Sequence, residues 1–280
     1  MPTATNARAL GLTVALALLV GVLCVVSLQI GSVPLAPRTV LAALAGQGDP
    51  VDVIIVRELR LPRTILAALI GATLALSGAA LQGLLRSPLA APSVLGAPSA
   101  AAFGAVTAIA LGFADTLSYT LPVAAIIAAL VSVAALFALA GASANILTLL
   151  LAGLALSSLA SAGVSLALNL APNFYAALEI AFWLLGSLED RSFQHVAMAA
   201  PFMVVSWLLL LAPRSGLTAL TLGEDVARTS GVQLGRLRAM TLIGVASGVG
   251  ASVAVAGVIG FIGLVTPHLV RPLVGHDPAR

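Results

Sequence analysis

Sixty per cent of the 280 residues are hydrophobic and only 8% are charged, with a mean hydropathy of +1.14, which excludes a soluble domain and allows repeated membrane crossings. The thirteen basic residues outnumber ten acidic ones, giving a net charge of +3, but they sit in connectors and form no continuous basic face, which argues against nucleic acid as a partner. Cys24 stands alone in an apolar run, so no disulfide framework or cysteine metal site is available; no lysine occurs in the chain, which excludes the lysine-bearing phosphate loop of a standard ATPase.

Ala9 to Ile30 carries no charge and is long enough for a first span, which is favoured over a cleaved signal peptide. Residues 31–60 read as a polar connector broken by Pro34, Pro37, Gly46, Gly48 and Pro50. Its tail VRELRLPR places Arg57, Arg60 and Arg63 at the mouth of a second span, Leu61 to about Gly83. In that span Gly71, Ala75, Ala79 and Gly83 recur every fourth residue, a row that lets helix backbones approach in lipid. RSPLAAPSVLGAPS, residues 86–99, then breaks the helix. Further spans are predicted over 94–113, 121–140, 146–170, 193–212 and 239–257, followed by a shorter apolar segment, Val258–Val274.

Ala239 to Val274 is too short for two full crossings of about 20 residues each and a turn, so at least one is short or broken. Gly257, Gly260, Gly263 and Pro267 mark the break; such interrupted helices line cavities in transporters, and a kinked hairpin is the plainer alternative. Gly244, Gly248, Ser252, Ala256 and Gly260 repeat the four-residue packing row. The expected fold is an all-α polytopic membrane protein, a single transmembrane domain with about eight helices.

Eight crossings put both termini on one side. With the amino terminus in the cytoplasm, that side receives Arg8, Arg86, Arg214, Arg228, Arg236, Arg238, Arg271 and Arg280, against Arg38, Arg57, Arg60, Arg63 and Arg191 outside, the expected direction of bias. Acidic residues lean outward: Asp49, Asp52, Glu58, Asp115, Glu179, Glu189 and Asp190. The local opposition of Arg57, Arg60 and Arg63 to the rule points to a purpose for that outer cluster.

Pro213–Arg238 is the densest charged stretch and falls on the cytoplasmic side. Thr221 with Glu224 forms a capping-box pattern, Leu222, Val226 and Thr229 share a face, and Gly231 suits a C-terminal stop. A short helix is therefore predicted over Thr221–Ser230, with a second turn over Val232–Arg238. The element is either a docking site for another protein or a solvated connector. Within the membrane, Ser157, Ser161, Ser165 and Asn169 form one polar row, read either as pathway lining or as a packing seam of serines bonded to their own helix. His195, His268 and His276, the last beside Asp277, show no metal-ligand spacing with a carboxylate. No charge lies near the middle of any span, which argues against proton relays and for an external energy source.

Taken together, RLPR at Arg60–Arg63 followed by LSGAALQGLLRSPLAAPSVLG, LLLAG at Leu149–Gly153, LTALTLGEDVARTSGVQLGRLR and GVIGFIGLVTPHLVRPLVGHD resemble the permease subunits of ABC importers for iron complexes (siderophores, haem) and cobalamin. The resemblance implies a multi-pass protein of a prokaryotic cell membrane with ten helices per subunit. It also implies a second permease subunit, a cytoplasmic ABC ATPase that alone binds ATP, and an extracytoplasmic substrate-binding protein. It assigns Leu222, Gly223, Glu224, Asp225, Ala227, Arg228, Gly231, Arg236 and Arg238 to ATPase coupling and Arg60 and Arg63 to binding-protein docking. Ser87, Leu89, Ile146 and Leu147 match a cytoplasmic gate. The family has Asn, Asp and Gly where Ser87, Ala91 and Ser93 stand, and it continues for about two helices past the H-D motif, so the chain is expected to be a carboxy-terminally truncated member. The rival readings are a stand-alone secondary transporter or channel and, less favoured, an intramembrane enzyme.

Overall fold

The computed structural model describes residues 4–113, 120–141 and 146–274; Asp115, His276, Asp277 and Arg280 lie outside the described residues, as do the side chains of Arg8 and Ile146. All regular structure among the described residues is helical, and six helices are long and apolar enough to cross a membrane. The chain divides into two compact units, residues 1–69 with 188–197, and residues 70–187 with 198–280.

In the first unit, α1 (Ala4–Gln29) exposes nearly all of its apolar side chains from Gly11 onward. The segment expected to be a connector is helical. Pro37 and Pro50 open α2 (Pro37–Leu44) and α3 (Pro50–Ile54), where their missing N–H groups cost nothing, and Asp49 caps α3 by accepting from the Val51 N–H. Prolines that read as breakers are thus helix starters. A π-helical turn, Ile55–Arg60, joins α3 to α4 (Leu61–Leu85), so one continuous helical run extends from Pro50 to Leu85. Leu28, Val40, Ala43 and Val56 form the small core of this unit.

The second unit is organised around α12 (Leu234–Ala256), most of whose residues are buried. Preceding it are α5 (Ala97–Ala110), α6 (Thr120–Ala140), α7 (Ile146–Asn169), α8 (Phe174–Leu185), α9 (Phe193–Leu211), α10 (Arg214–Thr221) and α11 (Glu224–Thr229); α13 (Ile262–Val270) follows. The glycine row of α12 serves close packing: a Cβ on Gly244 would press on Leu210, and one on Gly248 would collide with Ser206, while Ser252 and Ala256 are buried. At the end of the row Gly260 has open space around it. In α4 the close approach is made not at Gly71, which also faces open space, but at Gly78, where a Cβ would collide with the carbonyl oxygen of Gly263.

Helix α8 was not expected. At 12 residues it rises about 18 Å, too short to cross, so its apolar run adds no change of side. The break after α12 lies where the glycines place it. Gly257–Phe261 is non-helical, Gly257 and Phe261 have positive φ, and α13 has only nine residues, with Pro267 inside it.

Candidate functional site

The serine row of α7 meets the turn that precedes α5. Residues 92–95 form a 3-10 turn ending at Gly96, whose φ of 77° demands glycine and whose missing Cβ leaves room for the α7 backbone at Gly153 and Ser157. Gly153 in turn lies under the turn: a Cβ there would sit 2.7 Å from the Val94 oxygen. Ser157 shares a 3.0 Å hydrogen bond with Ser99 of α5. One and two turns further on, Ser161 and Ser165 line a cavity of about 310 Å³ with Ser99, Ala102, Val164 and Leu184; Val258 of the broken segment completes it. Ser165 donates to the Ser161 carbonyl and Asn169 to the Ser165 carbonyl, so the far end of the row is bonded to its own helix, as the seam alternative has it. The row therefore divides: Ser157 crosses to another helix, Ser161 and Ser165 line a cavity, and Asn169 bonds its own helix at the end. Ser99 was not singled out in the sequence, because it belongs to no visible period.

On the far side of the same turn, Pro92 packs against Gly263 of α13. Ser87 and Leu89 lie just beyond α4, whose end is marked by Arg86 at φ 51°; the Leu89 N–H donates to the Ser87 hydroxyl, and the Leu89 side chain is exposed. Leu147, at the start of α7, is exposed too. Both leucines leave most of their surface uncovered among the described residues.

The charged loop is built differently from its sequence reading. Thr221 ends α10, donating to the Thr218 carbonyl, and does not cap α11; Gly223 occupies that position with a φ of 115° that a threonine would not adopt. Ser230 and Gly231 (φ 84°) do close α11. Arg236 and Arg238 belong to the opening turns of α12, which absorbs the predicted second turn. Glu224 turns inward instead of capping: its Oε1 accepts from Arg238 at 2.9 Å, and its Oε2 lies 3.9 Å from Arg228. Arg238 is only 4% exposed, so this pair fixes α11 to α12, and Ala227 is buried beneath it. What remains outward is Leu222 at 71% exposure, with Asp225, Val226, Arg228, Gly231 and Arg236. The result is a segment tied to α12 by an ion pair, with Leu222 and Val226 outward among charged neighbours.

The outer arginines separate by role. Arg57 donates Nε and a terminal nitrogen to the Leu44 carbonyl at the end of α2. Arg60, 8% exposed, donates to the carbonyls of Leu28 and Gln29 at 2.9 Å each, at the end of α1, and to that of Val33. Both therefore satisfy orphan carbonyls at a helix C-terminus, where a cation is also favoured by the helix dipole. The guanidinium of Arg60, which the resemblance assigns to binding-protein docking, is thus engaged inside the chain. Arg63 is exposed and makes no hydrogen bond or ion pair among the described residues. It lines a cavity of about 630 Å³ with Arg60, Glu189, Asp190 and Arg191. Burial pushes Arg191 below the ordinary arginine pKa, which Asp190 offsets only in part, and its Nε is buried without a hydrogen-bond partner among the described residues.

Residues 18–280 match the FecCD transport family. The chain belongs to that family. Among its relatives it is 38% identical over 235 residues to an uncharacterized ABC transporter permease protein of Bacillus subtilis, covering 83% of this chain and 67% of that one. It is 35% identical over 226 residues to a cobalamin import system permease protein of Halobacterium salinarum, covering 80% of this chain and 60% of the relative. A solved metal-chelate type ABC transporter in an inward-facing conformation superposes with a TM-score of 0.86 at 34% identity, over 96% of this chain and 83% of that one. A FecCD member of this composition is an integral membrane protein, and its helices are those of a permease.

Proposed function

We propose that this FecCD chain is the pathway-forming permease subunit of an ATP-driven importer of iron-siderophore complexes or related metal chelates, in a prokaryotic cell membrane. ATP hydrolysis is assigned to a separate cytoplasmic subunit, delivery of cargo to an extracytoplasmic binding protein, and completion of the pathway to a second permease subunit. The observation that carries the reading is the braced projection of α10 and α11. A part-buried ion pair ties it to α12 while Leu222 and Val226 stay outside, the form expected of a lever that takes force from another protein. The absence of lysine leaves this chain without the phosphate-loop residue an intrinsic motor needs. The polar row Ser157, Ser161, Ser165 is read as a wetted wall of the passage, Leu89 and Leu147 as its cytoplasmic constriction, and Arg63 as the remaining contact for an acidic binding protein.

The test is reconstitution of the chain in liposomes with and without its ATPase, following uptake of an iron chelate supplied with its binding protein. Uptake only in the presence of the ATPase and ATP is expected; uptake without them overturns the reading. Leu222→Ser with Arg228→Glu is expected to reduce ATPase co-purification at least tenfold while membrane insertion persists, and unchanged co-purification would count against the lever.

A further inference from the structure

Gln82 is 2% exposed in the last turn of α4, in a helix otherwise nearly free of large polar side chains. Its amide is used at both ends. The Nε2 donates to the Leu264 carbonyl at 3.3 Å, and the Oε1 accepts from Arg271 at 2.7 Å, so one side chain grips the beginning and the end of α13.

One turn earlier on α4, Gly78 receives the carbonyl oxygen of Gly263 against its Cα. That carbonyl faces outward for a covalent reason: the residue four positions on is Pro267, which has no N–H to give it. Gly263 in turn has no room for a side chain, since a Cβ would lie 2.9 Å from both the Leu74 oxygen and Pro92 Cδ. The helix α13 is therefore wedged between α4 and the 92–95 turn. The two ends joined by Gln82 and Arg271 are those that the arginine distribution, through Arg86 and Arg271, assigns to the cytoplasmic side.

We infer that Gln82 and Arg271 are positioning residues: their bond clasps the broken segment α13 to α4, and through Pro92 it sets the placement of residues 86–95 at the cytoplasmic end of the passage. The amide and the guanidinium are suited to this work. A guanidinium offers several donors from one plane, and an amide can accept at one end while donating at the other, whereas an apolar pair in the same space would slide. The functional consequence rests on the transport reading given above, but the placement of the turn does not.

The clasp is tested first without transport. In a Cys24→Ser background, Ala90→Cys places a thiol at a buried position within residues 86–95. Its labelling by a maleimide in intact membranes is expected to be slow with Gln82 present and at least fivefold faster with Gln82→Leu. Gln82→Glu keeps an acceptor for Arg271 and should restore slow labelling, an effect that fails to appear when Arg271→Met is added. Equal labelling rates in the parent and Gln82→Leu, or failure of Gln82→Glu to restore protection, would overturn the inference. Should Gln82→Leu fail to accumulate, Arg271→Met alone provides the same comparison. In the reconstituted importer, uptake per ATP hydrolysed should fall at least threefold in Gln82→Leu and recover in Gln82→Glu. A parent that transports normally while both variants match it sinks the clasp alone; a parent that needs no ATPase sinks the transport reading and leaves the labelling result standing.

Discussion

Replacing Arg60 by methionine keeps most of the side chain's apolar stem but removes every donor from the end of α1. Three carbonyls lose the guanidinium: Leu28, Gln29 and Val33. Gln29 keeps a second donor, the Leu35 N–H at 3.3 Å, which leaves Leu28 and Val33 as the costly losses. A hydrogen bond to a charged donor contributes about 1.5–3 kcal/mol, so two of them amount to roughly 3–6 kcal/mol, and water reaching a frayed helix end recovers part of that, leaving about 2–4 kcal/mol. At about 2–4 °C per kcal/mol for a chain of this size, the apparent Tm in detergent should fall by about 4 °C or more. Arg63→Met is the control, because Arg63 is exposed, and it should shift Tm by about 1 °C or less. If the two substitutions behaved alike in thermal unfolding, the capping role of Arg60 would be refuted. If only Arg60→Met abolished capture of the binding protein while leaving Tm untouched, the surface role would return.

Arg60→Lys preserves charge but not the fork that reaches carbonyls at two ends, and should give a Tm between those of the parent and Arg60→Met in the same scan. Glu224→Gln leaves the buried Arg238 facing a neutral amide and should cost about 1.5–3 kcal/mol, whereas Arg228→Ala removes only an exposed pair at 3.9 Å and should cost under about 0.5 kcal/mol; comparison of unfolding midpoints decides the order. Gly78→Ala must displace the Gly263 backbone and should prevent accumulation of folded protein, while Gly71→Ala, with nothing near its Cβ, should leave yield and Tm within about 1 kcal/mol equivalent of the parent.

Those contrasts also mark what could be read from residues alone. Six of the eight expected spans were legible because a bilayer imposes length and apolarity together; the one expected over 94–113 is a helix of 14 residues, and the break after α12 was legible by counting residues against thickness. The helical character of residues 37–60 was not, since proline is both a helix breaker and a favoured first residue, and only the surrounding backbone distinguishes the two. Likewise Thr221 and Glu224 have the spacing of a capping box, but Arg238, fourteen residues on from Glu224, offers it a part-buried ion pair in place of a local cap. The row of small residues in α4 was visible by period, yet the contact forms on the neighbouring face through Gly78, because the partner is a bare carbonyl whose existence depends on Pro267. Of the serine row, periodicity located the helix face but could not tell which hydroxyls cross to a neighbour.

The use of arginine gives these observations a common cause. Where a helix ends or is interrupted, backbone groups lose their intrahelical partners, and side-chain donors tie such ends in place. Arg57 and Arg60 close the ends of α2 and α1, Arg238 holds α11 on α12, and Arg271 holds α13 on α4 through Gln82. Each of these arginines lies where helical regularity fails or changes direction, and those in outward-facing connectors break the charge bias because the carbonyls they serve are there. A lysine would bring one strongly hydrated point charge to such sites, costlier to desolvate and able to span fewer acceptors, which suits arginine to these four positions. On this argument Arg57 and Arg60 are engaged at the ends of α2 and α1, and Arg63, exposed beside them, is the member of the cluster whose guanidinium makes no hydrogen bond among the described residues.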